Sequence, residues 1–86
     1  MAKGVSRSGV VEVDLHGLLR HIAEERMRKF MAGEIANGTR SVRVIHGHGR
    51  GVMKEVVEEW IKAHQNSVED HIYENGRILI YLRPKR

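Results

Sequence analysis

The sequence predicts a small α/β domain with the element order βαβαββ, in which two helices cover one face of a β-sheet. Runs with apolar residues at every second position, typical of strands, occur at 10–15, 42–45, 68–73 and 77–82. Segments 19–31 and 52–64 instead repeat apolar residues at intervals of three and four, which is typical of amphipathic helices. An Asn-Gly pair at 75–76 separates the last two strand patterns and predicts a β-hairpin.

The composition fits a single small domain with a polyanionic partner. The 86 residues include no cysteine, which excludes disulfides and thiolate chemistry. Fifteen Lys and Arg against eleven Asp and Glu give a formal net charge of +4, a balance that suits nucleic acid. No signal peptide is evident and no apolar run approaches about 20 residues, so we expect a cytoplasmic protein without a membrane partner. Residues 1–9 are small, polar and basic and predict a flexible arm, followed by one monomeric domain over 10–86.

The first strand pattern ends in a polar turn. Val11, Val13 and Leu15 predict one buried face, which places Asp14 on the opposite face of the sheet. The run ends at His16-Gly17, just before the first helix.

The second strand pattern leads through a glycine-rich loop, His46-Gly47-His48-Gly49-Arg50-Gly51, into the second helix. Glycines allow the backbone to approach a ligand closely, and the first N–H groups of a helix are unpaired and partly positive. The loop therefore predicts a phosphate site, to which His46, His48 and Arg50 add side-chain donors. The alternative is that its glycines serve only the geometry of the turn.

These two loops are expected to lie side by side. A strand–helix–strand unit crosses over right-handed and leaves its strands parallel, so the first two strands end at the same edge of the sheet. Open α/β sheets bind ligands in the crevice beyond such strand ends. We therefore expect a shallow, basic site there, with Arg43 on the open sheet face, that suits a polymer backbone better than a small metabolite.

Asp14-Leu15-His16-Gly17 and His46-Gly47-His48-Gly49, about thirty residues apart and each after a strand, resemble the D-L-H-G and H-G-x-G signatures of the small MutS-related (Smr) domain family. The resemblance covers about 11–82. It implies an α+β two-layer sandwich similar to the C-terminal domain of translation initiation factor three, with a mixed four-stranded sheet of order 1-2-4-3 and the last strand antiparallel.

The resemblance also implies a function. Smr domains occur alone or at the C-terminus of MutS-like proteins, and the family is associated with nicking of DNA and endonucleolytic cleavage of RNA, including on ribosomes. This chain departs from the family pattern at the variable position of H-G-x-G, which holds His48 where Lys or Arg is common. The glycine-rich turn before the last strand is reduced to Asn75-Gly76.

The leading hypothesis is phosphodiester cleavage by acid–base catalysis. Histidine titrates near neutral pH, so His16 and His46 are candidates for base and acid in an attack by an RNA 2′-hydroxyl. Asp14 is a candidate for orienting an imidazole or holding a cation. The candidates for binding phosphate are Gly17, Arg43, Gly47, His48, Gly49, Arg50 and Gly51.

Other interpretations of the same residues stay open. The two histidines can serve only to pin the loops through hydrogen bonds. The basic loops also suit a DNA- or RNA-binding module without chemistry, with affinity that falls steeply with salt. A metal site of Asp14, His16, His46 and His48 is a third alternative, and Asp14 as a ligand of Mg²⁺ or Mn²⁺ is its favoured form. RNA and DNA offer the same phosphate, so the sequence leaves the choice between them open.

Overall fold

The computed structural model describes residues 3–5, 9–49 and 51–84 of the chain. The elements within these residues are the strands β1 (Lys3–Val5), β2 (Val11–Asp14), β3 (Ser41–Ile45), β4 (Val68–Glu74) and β5 (Arg77–Leu82), and the helices α1 (Arg20–Ala36) and α2 (Val52–Ala63). The strands form one mixed sheet in the spatial order β1-β2-β3-β5-β4.

The pairing of β2 to β5 agrees with the predicted topology. Strands β2 and β3 are parallel, with Val13 opposite Val44, and β5 is antiparallel to both β3 and β4. Because these four strands are the four predicted from the sequence, their order corresponds to 1-2-4-3. The predicted α+β class is confirmed.

The sheet has five strands rather than the predicted four. Lys3–Val5 pairs antiparallel with β2, and Gly4 lies opposite Glu12. This pairing supplies partners for backbone groups that β2 would otherwise present at an open edge. The prediction of a flexible arm over 1–9 is therefore wrong for Lys3–Val5, whereas 1–2 and 6–8 lie outside the described residues.

Both helices pack on the same face of the sheet around a single apolar core. The core residues alternate along the strands and recur at three- and four-residue intervals on the helices; they include Val13, Leu15, Ala23, Met27, Met31, Val42, Val44, Val56, Val57, Ile61, Ile78, Ile80 and Leu82. This layer fixes the direction in which β2 and β3 end, and with it the position of the loops that follow them. Neither helix in the described part of the chain is long and apolar enough to cross a membrane.

In the described part of the chain, no helix packs on the other face of the sheet. This face carries an ion-pair network. Arg43 of β3 donates from Nε to a Glu74 carboxylate oxygen at 2.8 Å, and its Nη1 lies 3.4 Å from a carboxylate oxygen of Glu12. The Arg43 side chain is only 13% exposed. The hydrogen bond to Glu74 raises the pKa of Arg43 above its ordinary value, so the guanidinium stays charged within this network.

Candidate active site

The sheet edge at the ends of β2 and β3 brings the two predicted loops into contact. The Leu15 N–H donates to the Ile45 carbonyl at 2.8 Å, which continues the parallel pairing past the end of β2. Directly beyond it, a β-carbon added to Gly47 would lie 2.9 Å from the β-carbon of His16. Gly47 also has a φ of +82°, a conformation that favours glycine. The missing side chain of Gly47 is therefore what allows the loops to touch.

Asp14 fixes the orientation of His16. An oxygen of the Asp14 carboxylate accepts the backbone N–H of His16 at 3.0 Å and lies 2.5 Å from its Nδ1. Because a carboxylate only accepts hydrogen bonds, Nδ1 carries the proton and Nε2 is left as the acceptor nitrogen of the neutral ring. The His16 side chain is 64% exposed, so Nε2 is accessible to a substrate.

His46 is oriented by its own loop. Its Nδ1 lies 2.8 Å from the carbonyl oxygen of Gly47. A carbonyl oxygen also only accepts, so Nδ1 is again the donor and Nε2 the free acceptor. The ring is half-buried. Both histidines are thus held at Nδ1, and each keeps Nε2 for proton transfer.

The turn between β4 and β5 forms a third side of the site. The carbonyl oxygen of Gly76 accepts the backbone N–H groups of His46 and Gly47, both at 2.9 Å. A β-carbon on Gly76 would lie 2.8 Å from Nε2 of His48, so the His48 imidazole packs directly on this turn. The short Asn75-Gly76 turn therefore supports the loop. The Gly47 N–H, which the sequence predicted as a donor to phosphate, already donates to this turn.

A crevice of about 400 Å³ lies between the loops and the first turns of both helices. It contains most of the predicted site residues, and its lining is His16, Gly17, Leu18, Leu19, Arg20, His46, Gly47, His48, Gly49, Gly51, Val52, Met53 and Lys54. Helix α1 begins after Leu19 and α2 after Gly51, and neither start has a hydrogen bond from a capping side chain. Uncapped helix starts favour an anion, because their N–H groups are unpaired and partly positive.

Two cationic side chains of this crevice were missed from the sequence. Arg20 is bound by Glu59 of α2 at 2.6 Å and by Glu24 at 3.2 Å. The hydrogen bond to Glu59 raises the pKa of Arg20 above its usual value, and the ion pair joins the two helices. Lys54 forms no ion pair with any described residue, and its Nζ lies 5.0 Å from the centre of the Tyr73 ring. The signal for Lys54 was its position, three residues after the glycine-rich loop in the first turn of a helix.

One predicted phosphate contact among the described residues is not brought into the crevice. Arg43 lies on the open sheet face with Glu12 and Glu74 and does not line the crevice. Arg50 lies outside the described residues. Asp14 is also absent from the lining, and it acts on the site only through His16.

The described side chains do not form a metal site of three or more protein ligands. Across residues 3–5, 9–49 and 51–84, no three His, Asp or Glu side chains are placed to share a metal ion. One oxygen of the Asp14 carboxylate is engaged by His16. Because Mg²⁺ is usually held by one or two carboxylates together with waters and substrate phosphates, Asp14 as a ligand of Mg²⁺ or Mn²⁺ stays a prediction.

The fold and the site define a class: an α+β domain that presents two histidine-bearing strand-to-helix loops at one edge of its sheet. The family model for the Smr domain matches residues 13–83. The chain belongs to the Smr domain family, and the resemblance carried by the two loop motifs is confirmed. The crystal structure of the Smr domain of Thermus thermophilus MutS2 superposes with a TM-score of 0.76 at 26% identity, covering 85% of this chain and 98% of that chain.

The chain is also similar to parts of longer proteins. It is 37% identical over 71 residues to endonuclease MutS2 of Symbiobacterium thermophilum, which covers 83% of this chain but 9% of the relative. It is 25% identical over 61 residues to ribosome rescue factor SmrB of Buchnera aphidicola, covering 71% of this chain and 33% of the relative. The chain therefore corresponds to a small part of these relatives.

Proposed function

We propose that this domain binds RNA along the crevice and cleaves its backbone with His16 and His46 as an acid–base pair. The observation that carries the proposal is the contact between the two loops, which places two imidazoles at one crevice with Nδ1 anchored and Nε2 free. The endonuclease and ribosome rescue names of the relatives support a nucleic-acid backbone as the target.

The proposed reaction takes its nucleophile from the substrate. Nε2 of His46 accepts the proton of the 2′-hydroxyl while the 2′ oxygen bonds to phosphorus. Protonated His16 gives its Nε2 proton to the 5′ oxygen as the bond from phosphorus to that oxygen breaks. The products are a 2′,3′-cyclic phosphate and a 5′-hydroxyl. Asp14 suits His16 to the acid role because its carboxylate stabilises the imidazolium, whereas the neutral Gly47 carbonyl suits His46 to the base role.

The phosphate charge is met by the backbone and by one side chain. The uncapped start of α2 offers N–H groups at Val52 and beyond, and Lys54 adds a positive charge at the rim. Gly49 and Gly51 keep side chains out of the path of a polymer. An RNA strand supplies both the reacting phosphate and the 2′-hydroxyl. For binding, it therefore needs only an open, partly positive crevice of this kind.

A cleavage assay with modified strands tests the proposal. End-labelled single-stranded RNA, incubated with excess protein, is expected to give 2′,3′-cyclic phosphate ends at a rate that chelator does not change. Replacing the ribose at the cleaved position with 2′-deoxyribose is expected to stop cleavage there, and a DNA strand of the same sequence is expected to stay intact. Cleavage of DNA, or loss of RNA cleavage in chelator, would contradict the mechanism.

A nucleic-acid-binding module without chemistry is the second candidate. It is favoured by the fact that each Nδ1 hydrogen bond is made to a residue one or two positions away in the chain, where it also holds the conformation of its own loop. This candidate predicts RNA binding that weakens steeply with salt and yields no new product ends. Product formation that disappears in the histidine variants would exclude it.

A further inference from the structure

An exposed aromatic ring lies beside the crevice on the outer strand of the sheet. Tyr73 of β4 is 51% exposed. It lies opposite Ile78, a core residue, so the ring is on the helix-covered side of the sheet at its edge. Most large apolar surfaces on this side are buried, and Tyr73 is an exception next to the candidate site.

Contacts on several sides hold the Tyr73 ring in place, with Lys54 Nζ over one face of the ring, and leave the residue 51% exposed. Its hydroxyl donates to a Glu58 carboxylate oxygen at 2.7 Å, and this bond raises the pKa of Tyr73 above its usual value. The His71 ring meets it nearly edge-on, at 79° and 5.4 Å between ring centres. A ring fixed in this way loses little conformational freedom when another flat group packs on it.

Lys54 connects this ring to the crevice. Its ammonium lies 5.0 Å from the centre of the Tyr73 ring, and the same side chain lines the crevice between the loops. An aromatic surface next to a positively charged groove is how proteins bind single-stranded nucleic acid, with the bases stacked on the rings and the backbone along the charges.

We infer that Tyr73 is a stacking site for an unpaired base next to the phosphate bound in the crevice, with Lys54 between the two. The inference rests on the proposed function, since it requires the backbone to lie in the crevice. It deepens that function by naming the substrate: a strand that is unpaired beside the cleaved position. A base within a duplex is paired and stacked on its neighbours and is not free to pack on Tyr73.

A scan with abasic nucleotides tests this site. A short 2′-methoxy RNA strand, which lacks the nucleophilic hydroxyl, is made with one abasic position at a time, and each dissociation constant is measured by fluorescence anisotropy for the wild-type protein and for Tyr73→Ala. For the wild type we expect one abasic position to weaken binding about tenfold. For Tyr73→Ala we expect the intact strand to bind about tenfold more weakly, with no further loss at that position.

Two control variants in β4 separate stacking on the Tyr73 ring from other roles of this β-strand. Tyr73→Phe keeps the ring face and loses the bond to Glu58, so it is expected to keep the positional effect. Ile72→Ala removes a neighbouring side chain, 46% exposed on the opposite sheet face, and is expected to bind like the wild type. Thermal unfolding of each variant confirms that it is folded. The abasic scan of the wild-type protein does not depend on any variant being folded.

The outcomes distinguish this inference from the proposed function. If the wild type binds the strand but no abasic position matters, or if the same position matters equally in Tyr73→Ala, the stacking site is wrong while backbone binding stands. If the wild type binds no strand at all, the proposed function fails. A wild type that binds duplex as tightly as single strand would also contradict the stacking site.

Discussion

Two groups of basic side chains lie on or beside the same sheet but differ in what surrounds them. At the edge, His16 and His46 are each anchored through one ring nitrogen and leave the other for a ligand. On the open face, the Arg43 guanidinium is enclosed by two carboxylates. The sequence predicted a role at the phosphate for both groups, acid–base catalysis for the two histidines and phosphate binding for Arg43. The difference shows that a partner, and not the type of charge, decides whether a basic side chain is available to an anion.

The contrast has a physical origin in the sheet register. Arg43 lies mid-strand, where cross-strand neighbours stand close enough to pair with it. His16 and His46 lie past the strand ends, where the chain leaves the sheet and the neighbours are glycines. Stability is expected to depend on Arg43 and its carboxylates, and catalysis on His16 and His46.

The largest expected effect is the loss of cleavage when either loop histidine is removed. His16→Ala and His46→Ala are each expected to lower the single-turnover cleavage rate about 100-fold or more, because each removes one proton-transfer group. His21→Ala, an exposed histidine on α1 outside the crevice, is the matched control and is expected to cleave like the wild type. A fully active His16 or His46 variant would remove that residue from the mechanism.

The next largest effect is expected at the carboxylate that orients His16. Asp14→Asn keeps the shape of the side chain and loses the charge that stabilises the imidazolium. A hydrogen bond to a charged group contributes about 1.5–3 kcal/mol, so the cleavage rate is expected to fall about 10- to 100-fold. The free energy of unfolding of Asp14→Asn is measured in urea together with its cleavage rate. A rate that does not change would show that Asp14 only shapes the turn.

The contact between the loops can be broken at one glycine. Gly47→Ala adds a methyl group 2.9 Å from the His16 β-carbon at a positive φ, and is expected to lower the free energy of unfolding by about 1–2 kcal/mol. Gly9→Ala is the matched control, since Gly9 has the same φ of +82° but a β-carbon there meets nothing within 4 Å, and it is expected to cost less than Gly47→Ala. Urea denaturation measures both. Equal effects of the two substitutions would mean that the loops do not touch.

The smallest effects compare two cations, Arg43, which is paired with carboxylates, and Lys54, which lines the crevice. Arg43→Ala removes the cation between Glu12 and Glu74, leaves Glu74 with Arg77 at 3.6 Å, and is expected to cost about 1 kcal/mol of stability, with unchanged salt dependence of RNA binding. Lys54→Ala is expected to leave stability within about 0.5 kcal/mol and to reduce the slope of log affinity against log salt by about 0.7. Measuring urea stability and salt dependence for both variants checks this. If Arg43→Ala changed the salt dependence and Lys54→Ala the stability, Arg43 would be the RNA contact and Lys54 the structural residue.

Local patterns were enough to predict most of the fold. The strands β2 to β5 and both helices follow from hydrophobic periods and the Asn75-Gly76 turn, and the parallel crossover places the two loops together. Strand β1 was missed because Lys3–Val5 is short and includes a glycine, and because it forms only by pairing with an edge that the sequence does not display. The same limit applies to the pairing of Arg43 with Glu74, 31 residues later, since it depends on how strands meet across the sheet.

Part of the candidate site was predictable where a motif carried it. The two motifs marked Asp14, His16 and His46, and the structure anchors both rings, while their catalytic role stays a prediction. Lys54, Arg20 and the Gly76 carbonyl were not found, because their roles come from the packing of α1, α2 and the hairpin around the loops. Tyr73 is of the same kind, since its pattern marks a strand residue and only the assembled sheet places it beside Lys54.

The most direct measurement of the central claim, that the two loops form one site, is an NMR titration with an uncleavable 2′-methoxy RNA strand. Signals of the His16 and His46 imidazoles and of the Arg43 Nε–H group are followed together. If the two loops form one site, both imidazoles shift along one binding curve while the Arg43 signal does not move. A shift of Arg43 with the imidazoles unchanged, or separate binding curves for His16 and His46, would contradict this claim.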